Sequence, residues 1–183
     1  MFSKLRHSIG EKKLSKKVSL SNRRKQVHNF ITCKSAVIIF DATMPGDFVV
    51  VKEFMKYLTG LKIESYLIGF VNGDIVHSNL LLRDNCHFFC KKDLDLLYKP
   101  KTAPTATFLT KKFDILFDLT LKDYFPLRYL SSLSDSDFKV GRYSEGVNDL
   151  DLMIDISKDM NVGYLIEQIK VYVTILNNPE AGS

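Results

Sequence analysis

The sequence predicts an α/β fold, in which a mostly parallel sheet of five or six strands is covered by helices on both faces. Residues 35–41 form a continuous run of β-branched and aromatic side chains, which is typical of a strand buried on both faces. Further strand-like runs alternate with segments whose apolar residues recur every three or four positions. This alternation indicates parallel strands joined by right-handed crossovers, so the predicted domain is Rossmann-like.

The first half of the chain contains one complete β-α-β unit. Residues 48–58 have helical spacing and stop at Gly60, a frequent helix end, and residues 63–70 form the next strand-like run. Between residues 72 and 112 the strand order is left open. We predict a strand at 86–90 and short helical turns at 94–98 and 105–111.

The alternation resumes in the second half of the chain. Pro126 suits the first turn of a helix, and the apolar residues between 162 and 176 form a wide stripe on one helix face. The predicted elements are strands at 113–118, 138–140 and 151–155, and helices at 126–133 and 161–176.

Charge is distributed unevenly along the chain. Residues 1–34 contain ten basic residues and one acidic residue, so they carry +9, whereas the rest carries −4 and the net charge is +5. We therefore predict a basic helical leader (1–34), a Rossmann-like domain (35–178) and a loose tail (179–183). Apolar residues are sparse over 3–30, which predicts one or two helices without a deep role in the core.

Three cysteines and the absence of long apolar runs bear on the compartment. Cys33, Cys86 and Cys90 are too few for a disulfide framework, and reduced thiols are the simpler interpretation. Basic residues interrupt the leader every few positions, so it lacks the apolar stretch of a secretory signal. No run has the roughly 20 apolar residues of a spanning helix. We expect a cytoplasmic protein.

Polar residues follow several predicted strands, and ligands of such sheets bind beyond those carboxyl ends. Asp41, Asp118 and Asp155 either bind a divalent ion together or cap the turns that follow them, and capping is favoured. Gly46 beside a helix start would let backbone amides meet a phosphate, although no complete glycine-rich phosphate motif is present. The candidate crevice residues are Asp41, Thr43, Gly46, Asp47, Asp118, Thr120, Gly141, Arg142 and Asp155.

The motif Cys86-His87-x-x-Cys90 is a weak candidate for zinc binding. A structural zinc site needs four ligands, and the other histidines and Cys33 provide no second pair. On a strand, Cys86 and Cys90 would share one face and His87 would point to the other. We predict no metal site, no cofactor and no catalytic residues, because no catalytic signature is complete. The question of enzymatic activity stays open, and we favour a non-enzymatic role.

The leader is the strongest functional feature of the sequence. Its cations match a nucleic-acid backbone, and without interleaved aromatic residues they predict contacts to backbone and shape rather than to bases. An anionic membrane surface and a solubilising tail are the alternatives. The candidate contact residues are Lys4, Arg6, Lys12, Lys13, Lys16, Lys17, Arg23, Arg24, Lys25 and Lys34.

Two segments carry a resemblance to known families. Residues 40–48 (FDATMPGDF) and 113–143 resemble an uncharacterised family of Bacteroidota, which brings no established activity. Gly46-Asp47, Asp114 to Asp118 and Gly141-Arg142 more distantly resemble the amino-terminal Rossmann-like domain of heptosyltransferase-type GT-B glycosyltransferases. Those enzymes need a second Rossmann domain, for which this chain leaves no room, so the resemblance implies the fold rather than glycosyl transfer.

These observations lead to two classes of function. Our leading hypothesis is a non-enzymatic adaptor whose leader docks on RNA or a ribonucleoprotein, such as the ribosome, while its acidic domain meets a protein partner. The alternatives are a nucleotide or sugar-nucleotide binding domain and peripheral binding to an anionic membrane. Integral membrane association is not expected.

Overall fold

The computed structural model describes residues 2–80, 84–146 and 148–176. Its centre is a six-stranded sheet in the order β3-β2-β1-β4-β5-β6, and all neighbouring strands are parallel. The predicted fold class is confirmed. The strands are β1 Ser35–Asp41, β2 Glu64–Val71, β3 Cys86–Cys90, β4 Lys112–Asp118, β5 Asp135–Arg142 and β6 Leu152–Ile154.

Helices cover both faces of the sheet. The side chains of α2 and α5 share one hydrophobic cluster with the sheet, and those of α1, α3 and α4 share the other. The alternation of side chains along each strand feeds both layers: in β1, Ile38 belongs to the first cluster and Val37 to the second. The helices are α1 Phe2–Ser19, α2 Pro45–Gly60, α3 Ala103–Thr110, α4 Phe125–Leu133 and α5 Val162–Ile175.

The leader packs against the sheet domain. Its helix α1 buries Leu14 against α4, and residues 21–29 then run without regular secondary structure. Phe30 enters the core, where its ring lies 6.2 Å from that of Phe117. The side-chain amide of Asn29 donates to the carbonyl of Leu176 at the end of α5 (2.8 Å). The expectation that residues 3–30 have no deep role in the core was wrong. Single residues such as Leu14 and Phe30 anchor the segment, although it has no periodic apolar stripe.

Two predicted elements differ in form. The segment predicted as a helical turn at 94–98 is not helical. Residues 95–98 form a tight turn instead, in which the carboxylate of Asp95 accepts hydrogen bonds from the amides of Leu97 (2.8 Å) and Lys99 (3.0 Å). Strand β5 extends beyond the predicted 138–140, because its polar residues Ser136, Asp137 and Lys139 are buried with partners. The predicted tail 179–183 lies outside the described residues.

Candidate functional site

The strand order places a crevice between the carboxyl ends of β1 and β4. The chain leaves β1 toward β2 and leaves β4 toward β5, in opposite directions along the sheet. In open α/β sheets, ligands bind at this point of divergence. Asp41 ends β1 and Asp118 ends β4, so both predicted aspartates lie at the rim of the crevice.

Both aspartates organise the turn that follows their strand. Oδ1 of Asp41 accepts hydrogen bonds from the amide of Thr43 (3.0 Å) and from its hydroxyl. Oδ1 of Asp118 accepts the amide (3.1 Å) and hydroxyl (2.6 Å) of Thr120 in the same way. These two carboxylates therefore act as turn caps, in keeping with the interpretation that the sequence favours.

Hydrogen bonds join the loops that surround the crevice. The hydroxyl of Thr43 accepts the backbone amide of Asn72 (2.9 Å), which directly follows β2. The side-chain amide of Asn72 donates to the hydroxyl of Tyr124 (3.2 Å), just before α4. The loops after β1, β2 and β4 are thus tied together. Sequence reasoning missed Asn72 and Tyr124, although both lie in loops that follow strands.

A pocket of about 310 Å³ contains Asp118, Thr120 and Arg142. Burial raises the pKa of Asp118, while hydrogen bonds from Thr120 and Ser131 and the charge of Arg142 oppose that rise. Nε of Arg142 is buried without a hydrogen-bond partner among the described residues, whereas its Nη1 donates to the carbonyl of Tyr143 (3.0 Å). The pocket therefore places a buried carboxyl group beside the cationic side chain of Arg142.

Two more of the predicted crevice residues, Gly141 and Asp155, lie in different places. A Cβ atom on Gly141 would lie 2.9 Å from the carbonyl oxygen of Asp118 and 3.0 Å from Cδ1 of Leu150, so glycine permits β5 to approach β4 closely. Asp155, after β6, is exposed and accepts the amide of Ser157 (2.8 Å). Gly141 thus shapes the pocket wall, whereas Asp155 caps a separate turn.

The turn from β1 into α2 is acidic. Gly46 is exposed in the first turn of α2, and Asp47 follows it. Burial and the charge of Asp41 raise the pKa of Asp47, while the charge of Lys122 lowers it. A phosphate at this helix start would meet two carboxylates, so electrostatics disfavour a phosphate-binding role for Gly46.

A larger pocket, of about 710 Å³, lies between α1 and the carboxyl edge of the sheet. Phe70, Asn72 and Tyr124 form its sheet side, and Arg6 and His7 of α1 form the opposite side. The sequence assigned Arg6 to nucleic-acid contacts and did not predict this pocket. Residues 95–98 form part of the pocket wall as an irregular turn. Such a turn has no periodic apolar pattern from which the sequence could predict the pocket.

The charges around this larger pocket are predominantly positive. Its two acidic residues are paired: Asp95 with Lys99 (2.9 Å) and Asp123 with Arg128 (2.9 Å). Its two lysines, by contrast, make no ion pair within the described residues. These lysines are Lys91 and Lys101. The pocket is therefore suited to an anionic ligand with an apolar body.

Four of the ten leader cations are engaged within the protein. Nε of Arg6 donates to the carbonyl of Leu96 (2.6 Å), and Nζ of Lys17 donates to the hydroxyl of Tyr129 (3.1 Å). Arg23 and Lys25 both pair with Asp151, which lies just before β6. The leader is thus held partly by the acidic residues of the sheet domain.

The other six leader cations are exposed and make no side-chain hydrogen bond or ion pair in the part of the chain that the structure describes. On α1, Gly10 faces Phe125 of α4, so the far side of the helix presents Lys12 and Lys16, one turn apart, with Lys13 beside them. The six cations are Lys4, Lys12, Lys13, Lys16, Arg24 and Lys34.

The side chains of the motif in β3 alternate as predicted. Cys90 and Cys86 pack with the α2 side of the sheet, and the ring of His87 stacks on Phe89, which belongs to the other cluster. Nε2 of His87 is 3.0 Å from the hydroxyl of Thr102, and burial lowers the pKa of His87. The two cysteines and the histidine therefore do not converge on one point.

The fold and the crevice define an open, all-parallel α/β protein of the Rossmann-like class. The chain belongs to DUF6913, a family of unknown function whose model matches residues 6–176 and so includes most of the leader. No curated protein and no solved structure matches the chain. No helix in the described ranges has the length and apolar character needed to cross a bilayer.

Proposed function

We propose that this protein binds the phosphate backbone of RNA, free or in a ribonucleoprotein such as the ribosome, through the outer face of α1. The observation that carries the proposal is the set of exposed lysines on α1 that no acidic group of the described chain neutralises. Lys12, Lys13 and Lys16 are the centre of this face. Lysine and arginine side chains that neutralise phosphates supply most of the affinity in sequence-independent binding.

The helix presents these lysines from a fixed position. Leu14 is buried against α4, and Arg128 of α4 makes a two-pronged ion pair with Glu11. A helix that is held in place loses less conformational entropy on binding than a free tail does. This docking supports α1 as a binding surface that exists before the partner arrives.

Two observations favour RNA over an anionic membrane. The apolar side of α1 is already packed on the domain through Leu14, so only Leu5 and Ile9 are exposed apolar residues among its described side chains. An interfacial helix needs a free apolar face to insert between lipid headgroups. Phe30 is buried in the core rather than available for base stacking, so contacts to backbone and shape are expected.

The test compares two triple variants with equal loss of charge. Lys12→Gln/Lys13→Gln/Lys16→Gln removes the α1 face, and Lys52→Gln/Lys62→Gln/Lys158→Gln removes three exposed lysines elsewhere. Binding to a fluorescent structured RNA is measured by anisotropy. We expect the α1 variant to lose about tenfold or more in affinity and the control variant to change little.

A matched membrane arm distinguishes the main alternative. Both variants are sedimented with vesicles that contain phosphatidylserine. Equal RNA affinities of the two triple variants would overturn the proposal, and so would binding to vesicles with no binding to RNA. A cytoplasmic location goes with this proposal and is supported by the three cysteines, which form no disulfide among the described residues. The proposal also includes a protein partner that binds the acidic sheet domain.

A second candidate function is binding of a nucleotide or sugar nucleotide. The larger pocket favours it, because this pocket lies beside the crevice of a Rossmann-like sheet and contains Lys91 and Lys101, which make no ion pair within the described residues. The distant resemblance to GT-B glycosyltransferases points to the same ligand class. Thermal-shift measurements with nucleotides and sugar nucleotides, with and without magnesium, test it. A shift that Lys91→Gln/Lys101→Gln removes would support this candidate, and the absence of any shift would contradict it.

A further inference from the structure

Three potential metal ligands meet at the amino edge of the sheet, the end opposite the crevice. His28 lies in the segment that leads into β1, Asp114 near the start of β4 and Asp137 near the start of β5. One ligand atom from each residue lies within 4.8 Å of the other two, and His28 Nε2 is 3.5 Å from Asp137 Oδ2. Ligand atoms of tetrahedral zinc are about 3.4 Å apart, given bonds of about 2.1 Å. Small side-chain rotations therefore suffice to close the site.

The histidine nitrogen that points into this cluster is buried and makes no hydrogen bond within the described residues, although Asp137 Oδ2 lies at ion-pair distance. His28 is 7% exposed and Asp137 is 8% exposed. No hydrogen bond of the described residues reaches His28 Nε2 or Asp137 Oδ1. Lys112 Nζ lies 3.0 Å from Asp137 Oδ1 and balances its charge, but not in hydrogen-bond geometry. Buried polar atoms are nearly always hydrogen-bonded, so a buried Nε2 that lacks a hydrogen bond and faces two carboxylates suits a metal ligand.

The surroundings of His28 leave this nitrogen free to coordinate. Nδ1 of His28 lies 3.4 Å from the hydroxyl of Thr32, which is also 3.4 Å from the carbonyl of Asn29. When that hydroxyl donates to the carbonyl of Asn29, it can accept a hydrogen bond from the N–H at Nδ1 of His28. In this tautomer the ring lone pair that can bind a metal is on Nε2. Histidines that bind metals characteristically have such a partner on the other ring nitrogen.

The carboxylate of Asp114 is also held in place. Its Oδ2 accepts the backbone amides of Lys34 (2.6 Å) and Ser35 (2.9 Å), so the side chain has a fixed orientation and one further oxygen to offer. Asp114 and Asp137 bring two carboxylates to this place, and the ion pair with Lys112 balances one of them. A divalent cation would compensate both carboxylates in this largely buried place.

We propose that His28, Asp114 and Asp137 form a binding site for a divalent transition-metal ion such as Zn²⁺, with water as a further ligand. One imidazole and two carboxylates are a ligand set that such ions accept. The Lys112 side chain, which is 53% exposed, moves into solvent when the ion binds. The ion would fasten the leader to β4 and β5, and this site is independent of the RNA-binding proposal.

The test is a titration of the full, tag-free chain with ZnCl₂ after treatment with a chelator. Calorimetry is expected to show one bound equivalent, and Co²⁺ is expected to give the visible absorption bands of a low-coordinate site. His28→Ala should lower zinc affinity by more than about 100-fold, because losing partners of ligands already costs roughly 10–100-fold. Thr32→Val should lower it by about tenfold.

Two further variants keep the test independent of folding defects. Lys112→Met removes a competing cation and should raise zinc affinity about 2–5-fold, the effect of one mostly exposed charge. His77→Ala, which removes an exposed histidine elsewhere, should leave binding unchanged. The proposal is overturned if the chain binds no zinc, if His28→Ala and Asp114→Asn bind it as tightly as the parent, or if Lys112→Met weakens binding.

Discussion

Arg23 and Asp151 form a two-pronged ion pair that joins the leader to the edge of the sheet. Nη2 of Arg23 lies 2.7 Å from Oδ1 of Asp151, and its Nη1 lies 2.8 Å from Oδ2. Nη1 also donates to the carbonyls of Ser136 (3.0 Å) and Asp137 (3.1 Å). Both ionic side chains are about nine-tenths buried, at 8% and 12% exposure. The basic leader and the acidic domain are thus partly complementary to each other.

Loss of this ion pair should destabilise the protein. Arg23→Ala leaves Asp151 in a largely buried place with Lys25 as its remaining cationic partner, and breaking such a pair costs about 3 kcal/mol. Arg23→Lys keeps the charge but loses the two-pronged geometry, so we expect an intermediate loss. Urea unfolding gives the free energies. The matched control is Arg24→Ala, an exposed neighbour, which should stay within about 0.5 kcal/mol of the parent. A negligible effect of Arg23→Ala would contradict the structure.

The close approach of β5 to β4 should make Gly141 sensitive to substitution. In Gly141→Ala the new Cβ would lie 2.9 Å from a backbone oxygen of β4, so we expect a loss of about 1–3 kcal/mol in the free energy of unfolding. In Gly60→Ala, at the end of α2, no atom lies within 4 Å of the new Cβ. That control should be neutral or slightly stabilising. Equal tolerance of both substitutions would show that the strands are farther apart.

The sheet and its crevice were predictable because local patterns determine them. The apolar run of β1 is buried on both faces, and the aspartates that end β1 and β4 lie where the carboxyl-end rule places them. The extent of β5 was not predictable. Its Ser136, Asp137 and Lys139 read as surface residues, but their side chains are buried. Their partners are Ser134 for Ser136, His28 and Lys112 for Asp137, and two carbonyls of α4 for Lys139.

The position of the leader was equally hidden from the sequence. Its contacts depend on single residues, such as Arg23 and Phe30, that meet partners more than 80 positions away. Periodicity does not report contacts of this kind. The larger pocket was missed for the same reason, because α1 forms one of its sides only after the leader has docked.

Lys139 should make stability depend on pH in the alkaline range. Its Nζ donates to the carbonyls of Ser131 (2.7 Å) and Ser132 (2.9 Å) near the end of α4, and burial lowers the pKa of Lys139 from 10.5 to about 8. The folded state therefore releases this proton before the unfolded state does. Burial of the charged Lys139 therefore lowers the free energy of unfolding. This loss is fully present below pH 8 and becomes smaller as the pH rises toward 10.5.

The measurement is urea unfolding of the parent and of Lys139→Met at pH 7 and pH 9. From pH 7 to pH 9, the free energy of unfolding of the parent, relative to that of Lys139→Met, should rise by about 1 kcal/mol. Taking the difference removes the titration of all other groups that the two proteins share. If this difference in free energy of unfolding stays constant, or if the variant gains stability relative to the parent, the lowered pKa of Lys139 is contradicted.

The salt dependence of RNA binding tests the central proposal most directly. The logarithm of the association constant is measured against the logarithm of salt concentration for the parent and the two lysine triple variants. Each phosphate contact adds about 0.7–0.9 to the slope, so Lys12→Gln/Lys13→Gln/Lys16→Gln should reduce its magnitude by about 2–3. The variant at Lys52, Lys62 and Lys158 should keep the parental slope. Equal slopes for all three proteins, or no RNA binding at low salt, would contradict docking through α1.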